Sequence, residues 1–247
     1  MLKKVLSSCF SPYHPSRFLI IKRGNAFFDY FQSSPPPTPP YGHVCQIGDP
    51  TLRGQAEPVE PEIVATVDFK KFVDHLISTM RIYEAYGLSA PQIGVSAQVF
   101  VIETTPKQVE ECIVTKSAGQ PVEVVPLTVF INPKMKILDY HTNSYPEACA
   151  SVFGYIAHVP RAKSVQIEAF DVTGKKFKWK AEGWPAKVAQ HEMDHLQGKL
   201  FTDKMDPQTL SCAIWSIVNL RRGKVAIKFF PDPGRWIRFK RMFSWSG

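Results

Sequence analysis

The sequence predicts an α+β fold in which mostly antiparallel sheets pack around a central helix that carries a His-Glu-x-x-His motif. Apolar and polar residues alternate over Ser164–Asp171 and Lys176–Ala181, which is typical of a hairpin. Asp68–Tyr86 repeats apolar residues at three- and four-residue spacing, which is typical of an amphipathic helix. Helices and strands do not alternate regularly along the chain, and this argues against a parallel sheet built from βαβ units.

The elements between these segments follow from local patterns. Gly87 is predicted to end the first helix in a left-handed conformation. The apolar run Gln98–Glu103 predicts a strand, and the charged and small residues of Pro106–Pro126 predict a surface loop. Two further strands, Leu127–Ile131 and Met135–Leu138, are predicted on either side of an Asn-Pro pair.

Two helices are predicted in the last third of the chain. Trp184–Gln197 has a proline near its first turn and Gly198 just past its end, and both residues are positional signals of a helix. This is the central helix, because it contains both histidines of the motif. Asp206–Leu220 is predicted to form a closing helix, with Asp206 as its N-cap.

Length and composition fit a globular protein. The chain has 247 residues, of which 44% are hydrophobic and 21% are charged, so a core of domain size can form. No apolar run approaches the roughly 20 residues that a membrane-spanning helix needs, and we expect no transmembrane segment. The five cysteines are an odd number without a Cys-x-x-Cys pair, which favours a reducing compartment or a metal site over a disulfide framework.

Charge and composition divide the chain into four predicted regions. The formal net charge is +8, and the basic excess lies at the two ends. Residues 1–31 are rich in Ser, Phe and basic residues and predict an organelle transit peptide, with a disordered basic tail as the alternative. Residues 32–40 predict a proline-rich linker, and residues 41–220 predict the folded domain that follows it. Residues 221–247 predict a basic aromatic tail that ribosomal RNA or an anionic membrane surface could attract, with a solvated extension as the alternative.

The segment His191-Glu192-Met193-Asp194-His195 carries the strongest chemical signal. On a helix its two histidines lie one turn apart, so both imidazoles can share one divalent ion. Glu192 can then reach a water molecule at that ion as a general base. Histidines at this spacing also occur on solvated faces, but the flanking residues here are largely apolar, and buried imidazoles need a partner. The motif therefore predicts a metal site.

A catalytic metal needs a third protein ligand and an open position. Downstream of the motif, residues 197–207 offer only Asp203 and Asp206 as acids. Upstream, Cys149 lies in a turn-like segment and offers a thiolate, although a lone cysteine in apolar surroundings is more often a small core residue. The residues alone do not identify the third protein ligand.

Three segments resemble the motifs of the peptide deformylase family in order and spacing. Gly87–Gly94 resembles the first motif, with its glutamine at Gln92. Glu147–Ser151 resembles the second motif, which supplies a cysteine ligand, and Gln190–Leu196 resembles the third. The segment His43–Pro50 resembles sequences of the eukaryotic organellar branch of this family. The resemblance covers residues 41–220, and it implies that they form a catalytic domain.

The resemblance implies a metal-dependent hydrolase that removes the formyl group from the N-terminal methionine of new organellar proteins. One divalent ion, which would be iron(II), zinc or cobalt, would have water as its fourth ligand and three protein ligands: Cys149, His191 and His195. Glu192 would be the general base. The Gln92 amide and the Ala150 backbone N–H would stabilise the oxyanion.

The resemblance also implies partners and a location. The substrates would be N-formyl-methionyl nascent chains in the mitochondrial matrix, and no DNA would be bound. Substrate-binding residues would be Tyr86, Gly87, Leu88 and Ala148. We further expect an ion pair between Glu147 and Arg161 that braces the cysteine segment, and a structural role for Asp194 as an ion-pair acceptor.

Three alternatives stay open at this point. Ala148 and Ala150 stand where the family pattern has glycine and leucine, which allows a catalytically weakened deformylase paralogue. A zinc peptidase would cleave unformylated peptides, and its metal would not need Cys149. A metal-stapled binding protein, in which the metal only stabilises the fold, would bind its partner through its basic ends. Glu192 would then have no chemical role.

Overall fold

The computed structural model describes residues 37–111 and 121–231 of the chain. The predicted transit peptide, most of the proline-rich linker and the tail beyond residue 231 lie outside these residues. The described strands β1 to β6 are Gly87–Ser89, Val99–Thr104, Val125–Ala148, Tyr155–Phe170, Lys176–Glu182 and Ser211–Cys212. They form one sheet in the order β1-β2-β3-β4-β5, with β6 paired to β4. Every neighbouring pair is antiparallel, which confirms the predicted fold class.

The α-helices of the described residues, α1 to α5, are Pro61–Val64, Val67–Ile82, Pro106–Glu111, Trp184–Leu196 and Trp215–Leu220. None of them is long and apolar enough to cross a membrane. The prediction for α4 is confirmed to within one residue, with a proline in its first turn. This helix is buried on most of its surface and packs against β1, β2, β4 and β5, which places the two histidines inside the molecule.

The predicted end of α2 at Gly87 is wrong. The helix ends at Ile82, and Glu84 takes the left-handed conformation with a φ of 49°. A hydrogen bond of 3.0 Å from the Ala85 N–H to the Met80 carbonyl closes the last turn around Glu84. Gly87 is therefore released from the helix and begins β1.

β3 and β4 form one long hairpin in place of the shorter strands that the sequence predicts. The predicted interruption at Asn132-Pro133 is a bulge, and the Asn132 backbone has a φ of 50°. The Asn132 side-chain amide exchanges two hydrogen bonds with the backbone of Val59, at 2.8 and 2.7 Å. Because these bonds anchor the bulge beside the proline, β3 continues past it. Its pairing with β4 ends where Ala148 lies opposite Ile156.

The predicted hairpin of β4 and β5 is confirmed. Val165 lies opposite Ala181, and Phe170 lies opposite Lys176. The lysines of β5 are exposed, whereas Phe177 and Trp179 pack against the buried core. The alternation that predicted the hairpin therefore reports its one buried face.

The predicted loop Pro106–Pro126 is only partly a loop. Its first residues form α3, and the Thr105 hydroxyl accepts a hydrogen bond from the Gln108 N–H at 3.2 Å. The Gln108 side chain accepts the Thr105 N–H in return, which makes a reciprocal cap that the sequence analysis overlooked. Residues 112–120 lie outside the described residues, and the end of the predicted loop belongs to β3.

The predicted closing helix is wrong in its first half. Asp206 does act as an N-cap, because its carboxylate accepts the Gln208 N–H, but the turn that it caps is a 3-10 turn of three residues. The Thr209 hydroxyl then accepts the His158 N–H of β4 at 2.8 Å, and β6 follows. Pairing with the sheet edge interrupts the helix, and only α5 remains helical.

Candidate metal centre

Three predicted ligands converge at the centre of the molecule. The ligand atoms of Cys149, His191 and His195 all lie within 4.8 Å of one another. The two rings come from successive turns of α4, and their centroids are 5.0 Å apart. The Cys149 sulfur lies 3.3 Å from Nε2 of His195. A zinc peptidase site that does without Cys149 does not fit this convergence.

Cys149 reaches the helix from the tip of the β3–β4 hairpin. The connection is a tight turn in which the Val152 N–H donates to the Cys149 carbonyl at 3.0 Å. The Ser151 N–H points back at the Cys149 sulfur, at 3.4 Å. The turn therefore holds the sulfur beside the helix, within reach of an ion shared with the two histidines.

The chemistry of the donor set fits a divalent cation. Burial lowers the pKa of His195 well below its ordinary value, so this imidazole is neutral, as a metal ligand must be. Burial also opposes the charged form of His191, yet the Cys149 sulfur and the Glu147 carboxylate raise its pKa well above the ordinary value. Positive charge is thus favoured beside His191, where a bound cation would replace the proton of this imidazole. One sulfur and two imidazoles suit zinc, iron(II) or cobalt.

The second nitrogen of each ring differs in its surroundings. Nδ1 of His191 lies 3.0 Å from Oε2 of Glu147, which fixes the ring and leaves Nε2 for a metal. Nδ1 of His195 is buried, and no residue in the described ranges gives it a hydrogen bond. The ring of His195 is therefore held by packing and by its contact with the sulfur.

Glu192 is buried beside the three ligands and is only 3% exposed. Burial raises the pKa of its carboxyl group to about 7. Its Oε2 atom makes no hydrogen bond within the described residues. A carboxylate of this pKa, without a structural partner on that oxygen, has the properties of a general base that works near neutral pH.

The Gln92 side chain has a fixed orientation. Its Oε1 atom accepts hydrogen bonds from the N–H and the hydroxyl of Ser89, at 3.0 and 3.1 Å. Its Nε2 atom therefore points the other way, towards the Ser151 hydroxyl at 3.1 Å and the Cys149 sulfur at 3.7 Å. The two serines lie within the motifs that the sequence analysis quotes, but a hydroxyl inside a motif gives no sign of its partner.

The two alanines that depart from the family pattern are accommodated without backbone strain. Among the described residues, the non-glycine residues with positive φ are Glu84, Asn132 and Arg222, so neither alanine is in the left-handed region. Ala148 is the last residue of β3 and is exposed. Ala150 follows the cysteine, and its carbonyl accepts a hydrogen bond from the Gln46 side chain at 2.8 Å.

The predicted ion pair of Glu147 and Arg161 is present and buried. It is bidentate, with distances of 2.8 and 2.9 Å. Arg161 also donates to Asp194 at 2.6 Å, and Asp194 accepts a further bond from Lys204 at 2.6 Å. Burial alone would raise the pKa of Glu147, but Arg161 and His191 hold it well below its usual range, so the carboxylate is ionised. The sequence offered no signal for Lys204.

Of the residues predicted to bind substrate, Gly87 and Leu88 lie in β1, at the edge of the sheet, and Tyr86 directly precedes this strand. Ala148 lies instead at the end of β3. Leu88 is fully buried in the core, so only its backbone is available to a ligand. The Tyr86 ring is half-buried and meets the Trp184 ring edge-on, with 4.9 Å between centroids. Gly87 packs directly against Glu192.

A cysteine sulfur and two imidazoles around one point, with a buried glutamate beside them, are the arrangement of a metal-dependent hydrolase. The protein-family model described as polypeptide deformylase matches residues 42–211 of this chain. The mitochondrial peptide deformylase of Homo sapiens is 45% identical over 184 residues, which cover 74% of this chain and 76% of the human one. The chain therefore belongs to the peptide deformylase family, and the predicted resemblance and enzyme class are confirmed.

Two further comparisons agree. The chloroplastic/mitochondrial peptide deformylase 1A of Arabidopsis thaliana is 36% identical over 162 residues, which cover 66% of this chain and 60% of the plant one. The crystal structure of A. thaliana peptide deformylase 1B in complex with inhibitor 21 matches with a TM-score of 0.56 and 32% identity. That match covers 72% of this chain and 86% of the plant chain. The human relative is thus a mitochondrial deformylase, and the plant 1A relative is a chloroplastic/mitochondrial one.

Proposed function

We propose that this protein removes the formyl group from the N-terminal methionine of nascent chains in the mitochondrial matrix. The convergence of Cys149, His191 and His195 beside Glu192 is the observation that supports this proposal most strongly. When a divalent ion is bound by these three ligands, it supplies a Lewis acid that lowers the pKa of a water molecule to about 7.

Glu192 moves the proton in this reaction. Its carboxylate accepts a proton from the water that attacks the formyl carbon, and it delivers this proton to the methionine nitrogen as the C–N bond breaks. The products are formate and a free amino terminus. The pKa of about 7 suits both steps, because the group must accept a proton and release it at the same pH.

Two donors would stabilise the oxyanion that forms on the formyl oxygen. The Gln92 amide is held by Ser89 with its nitrogen towards the Cys149 turn. The Ala150 N–H follows the cysteine in that turn. Donors that are already oriented contribute most, because they need no rearrangement during the reaction.

The substrate would lie along β1. This strand pairs only with β2 within the described sheet, so the backbone of an extended peptide can add to its open edge. Tyr86 and Ala148 would flank the methionine, and Gly87 and Leu88 would offer their backbone. A formyl group is the smallest acyl group, so the packed surroundings of Glu192 would exclude acetyl by size.

The termini and the relatives support the proposed location. The composition of residues 1–31 supports a transit peptide, and the human relative is mitochondrial. The basic aromatic tail of residues 221–247 would contact ribosomal RNA or an anionic membrane surface.

A formate-release assay tests the proposed reaction. The purified, metal-loaded protein should release one formate for each new amino terminus from formyl-Met-Ala-Ser. Acetyl-Met-Ala-Ser and unformylated Met-Ala-Ser serve as controls and should remain unchanged. Absence of formate, or hydrolysis of the unformylated peptide, would refute the proposal.

A further inference from the structure

A single segment, residues 41–47, binds both elements that carry the proposed oxyanion donors. The Cys45 N–H donates to the Gln92 carbonyl at 2.8 Å. Two residues later, the Ile47 N–H donates to the Ser151 carbonyl at 2.7 Å. Because one short piece of backbone holds both elements, it limits the distance between them.

Gln46 lies between these two backbone contacts and adds a side-chain clamp. Its Nε2 atom donates to the Ala150 carbonyl at 2.8 Å and to the Val44 carbonyl at 3.2 Å. Its Oε1 atom accepts the Phe153 N–H at 3.3 Å. The amide therefore joins the two ends of the turn that contains Ala150, and the half-buried side chain uses both of its polar atoms.

The direction of the Ala150 N–H depends on the two peptide groups that flank this residue. On one side, the Cys149 carbonyl is held by the Val152 N–H at 3.0 Å. The N–H and C=O of a trans peptide point in opposite directions, so this bond turns the Ala150 N–H away from the interior of the turn. On the other side, the Ala150 carbonyl is held by Gln46. With both peptide groups fixed, the direction of the N–H is fixed too.

We propose that Gln46 is a positioning residue, which sets the Ala150 N–H relative to the Gln92 amide. This inference rests on the proposed function, because it requires that the Ala150 N–H stabilises an oxyanion. Gln46 acts through the Ala150 carbonyl, and its side-chain hydrogen bonds within the described residues go to Val44, Ala150 and Phe153 rather than to the metal ligands or Glu192. Loss of its clamp would let the turn rotate, and a displacement of about 1 Å at a reacting centre can cost about 100-fold in rate.

The substitution Gln46→Leu tests this role. Leucine is of similar size but removes the bonds to Ala150 and Phe153, and the site is half-buried, so the fold should tolerate it. We expect kcat for formyl-Met-Ala-Ser to fall about 10- to 100-fold, with KM unchanged. Metal content should remain at one ion per chain, because the three ligands are not altered.

Gln98→Leu is the matched control. The Gln98 side chain is also half-buried, and its amide also holds a backbone carbonyl, that of Ala56 at 3.1 Å. It lies outside the turn that carries the proposed donors. A purely structural effect would lower thermal stability and activity in both variants alike, whereas a positioning effect lowers kcat only in Gln46→Leu.

Each outcome has one interpretation. A wild-type protein that releases no formate refutes the proposed function itself. An active wild type together with an unchanged kcat in Gln46→Leu refutes only the role of Gln46. Equal losses in the two glutamine variants, a rise in KM without a fall in kcat, or loss of metal from Gln46→Leu would also overturn this role.

Discussion

Gly87 lies directly against Glu192. A Cβ atom built on Gly87 would come within 2.6 Å of Oε1 of Glu192 and within 2.9 Å of the rest of its carboxyl end. The backbone of β1 therefore forms the surface on which the proposed base rests. A glycine is needed here for close approach rather than for a left-handed backbone, because Gly87 is not among the glycines with positive φ.

Gly87→Ala should displace Glu192 and lower kcat at least about tenfold. The new methyl group cannot be accommodated unless the carboxylate moves, because the contact is far below van der Waals distance. Steady-state kinetics on formyl-Met-Ala-Ser would measure the effect. Gly42→Ala is the control, since nothing lies within 4 Å of its added methyl group. Equal kcat values in the two variants would show that the position of Glu192 is not critical.

Glu192→Gln should lower kcat about 100- to 10,000-fold, because the amide cannot carry the proton. Metal content should not change, since Glu192 is not one of the three ligands. The amide has nearly the shape of the carboxyl group, so thermal unfolding should occur at or above the wild-type temperature. A fully active variant would show that Glu192 does not carry the proton.

Cys149→Ala should lose the metal. The variant should bind less than one ion per chain by elemental analysis, because only two of three ligands remain. Wild-type protein should unfold at a lower temperature after chelation, since an ion that binds only the folded state stabilises it. The variant should show little response to the chelator.

Cys45→Ala controls for the loss of a buried thiol. Cys45 belongs to the same buried apolar cluster as Cys149, and it is not part of the ligand group. Its variant should keep both the metal and the response to chelation. If the two cysteine variants bind metal equally, the sulfur of Cys149 is not a ligand.

Arg161→Met should destabilise the fold strongly. It leaves two buried carboxylates, Glu147 and Asp194, without their shared guanidinium, and an uncompensated buried charge costs about 3–5 kcal/mol. Urea unfolding would measure this change in the free energy of unfolding. Lys163→Met breaks an exposed pair with Glu182 and should leave the midpoint nearly unchanged. Similar midpoints for the two variants would mean that the buried network adds nothing to stability.

The sequence is most informative where one residue type determines the chemistry or the spacing. Histidines at positions i and i+4 must share a helix face, so the ligand pair of α4 could be predicted before any coordinates. The β4–β5 hairpin could be predicted for the same reason, because alternation reports directly on one buried face. Three ordered motifs then added Cys149, which no local pattern of its own could assign.

Other features depend on contacts between distant residues and therefore could not be predicted. The bulge at Asn132 is stabilised by Val59, 73 positions away. The closing helix is interrupted because β6 pairs with β4, next to the bond from the His158 N–H to the Thr209 hydroxyl. The clamp of Gln46 on Ala150 spans 104 positions. Local patterns carry no information about such partners, so the sequence predicted a strand break where β3 continues and a helix where the chain forms β6, and it did not predict the clamp of Gln46.

The coordination of the metal is the central claim, and X-ray absorption of the zinc-loaded protein tests it most directly. We expect one sulfur at about 2.3 Å and two imidazole nitrogens at about 2.0–2.1 Å, with a lighter oxygen donor in the remaining position. A spectrum without sulfur, or one with four protein ligands that leave no open position, would contradict the claim.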